Sequence, residues 1–533
     1  MENENRAQVT RAATVVMAAI LVSRILGFLR ERAVAEVFGR TATTDAFFAA
    51  FALPDLMYQL LVGGALSSAF IPVFTEYLAK DEEKEAWYVA SVFLNATFLI
   101  LLGIMVLGVI FTPVLAPLVG VGFAGEHKEL LVLLMRVTFP AVFFTALAGL
   151  CMGVLHSYKT FFRPALGPII YNLCQILGAY ILGPLMGIMA MAVGTVVGAV
   201  GNFSVQIPEV WRRGAKYYRP VLDLKHPGIR RMVELMLPAI LGLSIAQINV
   251  IISQNLASTL EEGSIVALRL ANRLINFPLG IFAMGISTAV FPTLAGLAAK
   301  NERQEFMRTL SFGLRIVAFI TIPSAVGMAF LRVPIVRLLF ESGEFTAADT
   351  MATAFALLFY VPGLFAQAAL QVTTRGFYSL QDTKTPVKIG FWTVVVNLLL
   401  SIAFLKWTDL GAGGLALAFS LSSIVNVVLA FIILGRRLPG LLSGELLTTV
   451  VKSSAASVVM GLAAWASASM LARYLPMARK LAQTVQTLGS IGVGVLVYMV
   501  LTVILRMEEI KFVWDLIKRK AAGRRAKGQE QRS

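Results

Sequence analysis

ALSSAFIPVFTEYLAKDEEKE (65–85) and GISTAVFPTLAGLAAKNERQE (285–305) lie over one another at a shift of 220 residues. Ser67 falls on Ser287, Ala69 on Ala289, Pro72 on Pro292 and Lys80 on Lys300, while Glu82 and Glu85 fall on Glu302 and Glu305. At shifts of 222 to 225, Pro140 meets Pro362, Gly153 meets Gly376, Pro164 meets Pro386 and Asn172 meets Asn397. Two matches in the same order at nearly the same shift mark an internal repeat.

The repeated material is apolar helix. Of 533 residues 58% are hydrophobic and 14% charged, with a mean hydropathy of +0.78, whereas soluble domains carry about 25% charged residues. Apolar runs of bilayer-spanning length give about fourteen spans: 12–34, 45–72, 88–112, 129–155, 162–183, 187–209, 233–257, 266–295, 310–331, 350–376, 388–406, 412–436, 448–471 and 484–507. The repeat places span 2 over span 8 and span 4 over span 10. An offset of six spans preserves orientation, so the expected fold is an all-α polytopic membrane protein. It has two parallel six-helix lobes and two appended C-terminal helices. The expected divisions are a first lobe at 1–210, a basic linker at 211–232, a second lobe at 233–440, spans 13 and 14 within 441–507, and a basic tail at 508–533. Paired lobes of this kind are a transporter arrangement, with substrate between them.

The charge balance is +16. In a chain of spans this reflects the positive-inside rule rather than nucleic acid. Residues 211–232 carry seven Lys and Arg and the tail from Arg506 carries nine, which puts both termini in the cytoplasm. The first run is read as a retained helix, not a signal peptide, because Arg24 interrupts it and no small-residue cleavage site follows. Cys151 and Cys174 form no CxxC site. His127, His156 and His226 lie apart, and no GxxxxGK[ST] loop is present. No cofactor, metal or built-in ATPase is therefore expected.

The chemistry lies in charges that a plain membrane anchor does not need. VVMAAILVSRILGFLRERAVAEVFGR (15–40) places Arg24 and Arg30 in span 1. Arg269 and Arg273, four apart, share one face of span 8. A charge at the bilayer centre costs about 2.5 to 3.5 kcal/mol, so Arg24, Arg30 and Arg273 facing lipid cost on the order of 10 kcal/mol together. A wet cavity, a counter-charge or a ligand has to offset that. Guanidinium is always charged and forks onto phosphate oxygens, which suits a phosphate-bearing substrate. The alternative, snorkelling or pairing with a local acid such as Glu31, weighs most for Arg32 and Arg269. Asp45 opens span 2, as a helix-capping carboxylate or a site group. Asp55, after Pro54, is a counter-ion or a proton site. Glu341, Glu344 and Asp349 read as a solvated loop.

SRILGFLRERAVAEVFG (23–39), TDAFFAAFALPDL (44–56), ALSSAFIPVF (65–74), ANRLINFPLGIF (271–282) and FYSLQDTKTPVKI (377–389) resemble the MurJ (MviN) lipid II flippases of the MOP exporter superfamily, over essentially the whole chain. The resemblance implies transport rather than catalysis, in the bacterial cytoplasmic (inner) membrane. Its substrate is lipid II, an undecaprenyl-pyrophosphate carrying the peptidoglycan disaccharide-pentapeptide. It also implies a central cationic cavity and a lipid groove at the two appended helices. Membrane lipids, and the cell-wall synthesis machinery as a candidate, are the other partners. Carried over, the cavity arginines are Arg24, Arg30 and Arg273, with Asp45, Ser23 and Glu31 beside them. The chain departs from the pattern at Tyr58, where many relatives have arginine, at Gly63, where they have glutamate, and at Asn272, where they have an acid. Arg269 stands where others are often uncharged, and is expected to supply the charge missing at Tyr58. The positions nearest the sodium-ligating acids of some relatives are Ser253 and Ser401, too weak a set to predict a metal. The rivals are a related exporter of another polyprenyl-linked sugar or of a drug, a membrane enzyme on the same lipid, and a non-transporting scaffold.

Overall fold

The structure is a computed structural model that describes residues 2–214, 216–440, 444–476 and 480–510. Beyond residue 510 the expected basic tail lies outside the described residues. The described residues are helical, with no strand among them.

The first helix, α1 (Glu2–Phe38), carries Arg24, Arg30, Glu31 and Arg32 in its second half. After it, thirteen helices are long and apolar enough to cross a membrane. They are α2 (Ala42–Ala79), α3 (Glu83–Ile110), α4 (Gly125–Ser157), α5 (Phe162–Met186), α6 (Met189–Gly214), α7 (Pro227–Ala257), α8 (Ser264–Ala299), α9 (Arg303–Phe330), α10 (Ala347–Ser379), α11 (Lys384–Trp407), α12 (Ala412–Arg437), α13 (Gly444–Tyr474) and α14 (Lys480–Ile504). Each coincides with an expected span. Two short helices, Thr112–Val119 and Arg332–Phe340, follow α3 and α9.

The chain forms two compact units. One holds residues up to Ala267 together with Phe340–Asp349, and the other holds Leu268–Leu339 and residues from Thr350 onward. In the first, α2 and α3 pack on α4, α4 and α5 pack on α6, and α1 lies on α5. In the second, α8 and α9 pack on α10, and α10 and α11 pack on α12. Four pairings thus recur six helices later. The seventh helix does not follow suit: α7 packs on α2, and Gly64 permits the approach, because a Cβ there would stand 2.9 Å from Ile240 Cγ1.

The backbone carries the repeat further than the side chains do. Left-handed residues punctuate five connections of the first repeat and the same five of the second: Gly39 and Gly263, Asp81 and Asn301, Gly125 and Gly343, Lys159 and Gln381, Gly187 and Gly411. The non-glycine members close their helices with one hydrogen-bond pattern. Asp81 N–H donates to Leu78 O and Glu82 N–H to Tyr77 O, as Asn301 donates to Ala298 and Glu302 to Leu297. Lys159 with Thr160, and Gln381 with Asp382, repeat it. This paired bonding satisfies carbonyls that a helix end leaves over and makes a left-handed non-glycine residue tolerable. The π-helical turns at Gln59–Phe70 in α2 and Leu279–Ala283 in α8 begin 220 residues apart. Such turns bend a helix where function needs it.

Candidate functional site

On α1 the seven-residue spacing sets Ser23 and Arg30 on one face and Arg24 and Glu31 on the next. Arg24 is exposed, Ser23 and Arg30 are partly buried, and Glu31 is buried. Arg30 donates to Glu31 Oε1 at 2.7 Å and to Asn172 Oδ1 on α5 at 3.3 Å. Asn172 Nδ2 donates to Pro168 O at 2.8 Å, which leaves the amide oxygen for the guanidinium. Tyr171 and Asp55 are within electrostatic reach of Arg30, and Tyr58 of Asp55. The structure thus gathers Arg30, Glu31, Asp55, Tyr58, Tyr171 and Asn172 into one polar cluster at α1, α2 and α5. A charged group in a membrane-length helix needs such partners. A guanidinium has five N–H donors, and among the described residues two are engaged in the hydrogen bonds just given. Tyr171 was not singled out from the sequence. The repeat match of Asn172 with Asn397 was the signal pointing to its neighbourhood.

On α8, Leu268, Leu270, Ala271, Leu274 and Ile275 are buried. Arg269, Asn272, Arg273 and Asn276 make the opposite stripe, in which Arg269, Arg273 and Asn276 are exposed. Asn276 Nδ2 donates to Asn272 Oδ1 at 2.7 Å. The Cα atoms of two arginines four residues apart are separated by about 6 Å along the helix, so both side chains start from the same face. Arg24 and Arg30 belong to one compact unit, and Arg269 and Arg273 to the other.

Asp45 stands apart from both sets. Thr41 caps α2 through its hydroxyl, and the Asp45 carboxylate, 4% exposed, reaches across the sequence instead. It accepts the backbone N–H of Gly263 at 2.7 Å and of Val266 at 2.8 Å, capping the start of α8 where amides are left over. Arg40 beside it donates to Glu262 O at 2.7 Å and pairs with Asp349 at 3.0 Å. Glu344 N–H donates to Glu36 O at 2.8 Å. The connections after α1, α7 and α9 are stitched together in this way. Asp349, expected in a solvated loop, is drawn in because Arg40 needs a counter-charge. Gly343 is required here: its φ is +57°, and a Cβ would stand 2.2 Å from Glu36 O.

Among the described residues no group of three His, Cys, Asp or Glu is placed to hold a metal.

Repeated six-helix packing with membrane-length helices defines a polytopic membrane protein with the fold of the MOP exporters. A multidrug resistance MATE transporter of that superfamily, 15% identical, superposes with a TM-score of 0.67 over 81% of this chain and 99% of its own. The model of the lipid II flippase MurJ family matches residues 34–484, and the chain belongs to that family. The lipid II flippase MurJ of Burkholderia cenocepacia is 32% identical over 466 residues, covering 85% of this chain and 89% of its own. The protein named "Probable lipid II flippase MurJ" in Vibrio cholerae is 33% identical over 519 residues, covering 94% and 97%. A solved structure, "Lipid II flippase MurJ, inward closed conformation", is 29% identical and gives a TM-score of 0.77 over 95% of this chain and 100% of its own.

Proposed function

We propose that this protein is a lipid II flippase, moving the undecaprenyl-pyrophosphate-linked peptidoglycan precursor from the inner to the outer leaflet of the bacterial cytoplasmic membrane. Membership of the lipid II flippase MurJ family carries the reading, and the arginines on α1 and α8 supply the chemistry. Both termini are cytoplasmic, on the strength of the Lys and Arg bias. The lobes follow the repeat, 1–210 and 233–440, joined by the basic connection 211–232. Helices within 441–507 border the groove for the polyprenyl tail, and 508–533 is a cytoplasmic tail.

Arg24, Arg30, Arg269 and Arg273 bind the pyrophosphate while the tail stays in lipid. Ser23, Glu31 and Asp55 orient and balance the arginines. Asp45 serves the site through the structure, by fixing the first turn of the helix that bears Arg269 and Arg273. Transport is by alternating access, and the π-helical turns of α2 and α8 are the bending points. A charge crossing the full potential is worth about 2.3 kcal/mol per 100 mV, so an inside-negative potential helps to return the cationic site inward. No chemical step on the substrate is required of the protein. The cell-wall synthesis enzymes that consume outer-leaflet lipid II are the natural further partners.

The test is depletion of the protein in its own cells with lipid II assayed in each leaflet. Lipid II accumulates inside, and wild type relieves the block while Arg24→Ala or Arg273→Ala lowers flipping at least about a hundredfold, the scale of a lost charge-assisted phosphate contact. Accumulation of a different lipid-linked sugar inside, with lipid II reaching the outer leaflet, would move the substrate assignment to a related exporter.

A further inference from the structure

A cavity of about 500 Å³ opens in the second unit, bounded by the end of α9, the short helix Arg332–Phe340, α13 and the start of α14. Its lining includes Phe330, Arg332, Arg337, Trp465 and Gln486; Trp465 and Gln486 lie on the helices assigned above to the tail groove, while the flipping reading gives Phe330, Arg332 and Arg337 no role. The short helix is tied to α14, since Thr487 Oγ1 donates to Pro334 O at 3.2 Å and Lys480 Nζ to Arg337 O at 3.5 Å. These two walls are therefore joined at two points. In the topology proposed above, α9 and α13 end outside and α14 starts there, so this cavity sits at the outer headgroup level. Arginines on that side run against the positive-inside bias. Arg332 Nη1 caps the end of α9 by donating to Ala329 O at 2.8 Å, and a guanidinium, with five N–H donors, has others to present to the cavity.

The lining states what would fit. Arg332 and Arg337 offer forked donors for phosphate oxygens, while Phe330 and Trp465 give apolar walls, Trp465 being 55% exposed. A ring of that kind belongs at a membrane interface. Gln486 is 4% exposed. Its Nε2 donates to Ala468 O at 2.9 Å, which fixes the amide orientation, and its Oε1 has no hydrogen-bond partner among the described residues. A buried acceptor left over calls for a donor, and phosphate oxygens are acceptors only. An ammonium or a hydroxyl can donate to it, and beside two guanidinium ions the neutral hydroxyl is the better match. We infer that this cavity is a binding site for an outer-leaflet lipid phosphodiester whose headgroup carries a free hydroxyl, bound through Arg332 and Arg337 and read by Gln486. The volume is within the range of small-molecule sites.

The test is native mass spectrometry of the delipidated full-length protein titrated with phosphatidylglycerol, phosphatidylmethanol, phosphatidylethanolamine or soluble glycerol phosphate. Phosphatidylglycerol is expected to bind at least tenfold more tightly than phosphatidylethanolamine, with Arg332→Gln/Arg337→Gln abolishing the difference and Arg332→Lys/Arg337→Lys restoring part of it. Gln486→Leu is expected to erase the preference for phosphatidylglycerol over phosphatidylmethanol, which lacks the hydroxyl, and to leave charge selectivity intact. Equal binding by the double glutamine variant, or no difference between the two glycerophospholipid classes, overturns the site. Soluble glycerol phosphate competing as well as the lipid overturns the lipid assignment and leaves a free-phosphate site. Failure of flipping in the depletion assay bears on the proposed function alone, because neither arginine of this cavity belongs to that machinery.

Discussion

Asn95 on α3 and Arg315 on α9 stand 220 residues apart, at the same place in the two repeats. Asn95 Nδ2 donates to Arg219 O and Val221 O, both at 3.0 Å, and Tyr218 Oη donates back to Asn95 Oδ1 at 2.5 Å. It holds the connection that follows α6. Arg315 bonds Glu509 at 2.6 Å, Glu445 at 2.7 Å and Glu508 at 2.9 Å, so it holds the start of α13 and the segment after α14. Each repeat thus uses one position on its third helix to fasten whatever chain follows its sixth. The chemistry is matched to the object: an amide for backbone carbonyls, a guanidinium for carboxylates. The charge of the candidate site behaves differently. Counting back 220 from Arg269 and Arg273 gives Ala49 and Leu53, and α7, counterpart of α1, has no arginine beyond Arg231. What the repeat preserves is scaffold, and each candidate arginine pair lacks a counterpart in the other copy.

Removing each anchor tests this most directly. Arg315→Ala leaves the buried Glu509, 2% exposed, without its guanidinium and is expected to cost about 3–5 kcal/mol. Asn95→Ala loses neutral hydrogen bonds and is expected to cost about 1–2 kcal/mol. Unfolding of the two variants in detergent measures both, and equal losses would break the analogy of unequal anchors. Next in size is the pair Gly343 and Gly125. Both are left-handed, at φ +57° and +52°, but a Cβ at Gly125 meets nothing within 4 Å. Gly125→Ala should cost about 1 kcal/mol for the backbone alone, whereas Gly343→Ala collides with Glu36 O and should cost about 3 kcal/mol. Matching Tm losses would mean that the stitched connections give way easily.

The smallest effect concerns Asp382 and its counterpart Thr160. Burial raises the Asp382 carboxyl, but hydrogen bonds from the Thr385 hydroxyl and N–H, with the Arg437 guanidinium, outweigh it and bring the pKa down to about 2. A lowered folded-state value means that the stabilisation is complete above the ordinary aspartate range near pH 4 and is lost as pH falls towards 2. Asp382→Asn should flatten the fall in Tm between those values by a few degrees. Thr160→Val should leave its pH dependence unchanged. A pH profile of Asp382→Asn identical to that of wild type counts against the assignment.

Most of the helical plan was legible because membrane length and apolar content are properties of local sequence, and the repeat was legible from proline, serine and charge matches. The motif FYSLQDTKTPVKI was conspicuous, and its physical content is now specific: Gln381 turns left-handed, Asp382 caps α11 and Pro386 lies in its first turns. Left-handed Asp81 and Lys159 could not be read, because their conformation depends on bonds made after the helix has ended. Asp45 was left between cap and site, since its partners are backbone amides 218 and 221 residues away. Arg30 was found as a charge out of place. Its neighbours Tyr171 and Asn172 needed the contact of α1 with α5. The position of α7 on α2 was not written in the repeat at all.

The five recurring left-handed connections have an evolutionary consequence. A half-length ancestor with six spans would start and finish on one side of the membrane, so fusing two copies in tandem would require no added helix and no copy inserted upside down. The basic segment 211–232 would be all the new chain that such a fusion required, and side chains could then diverge while the turns stayed fixed.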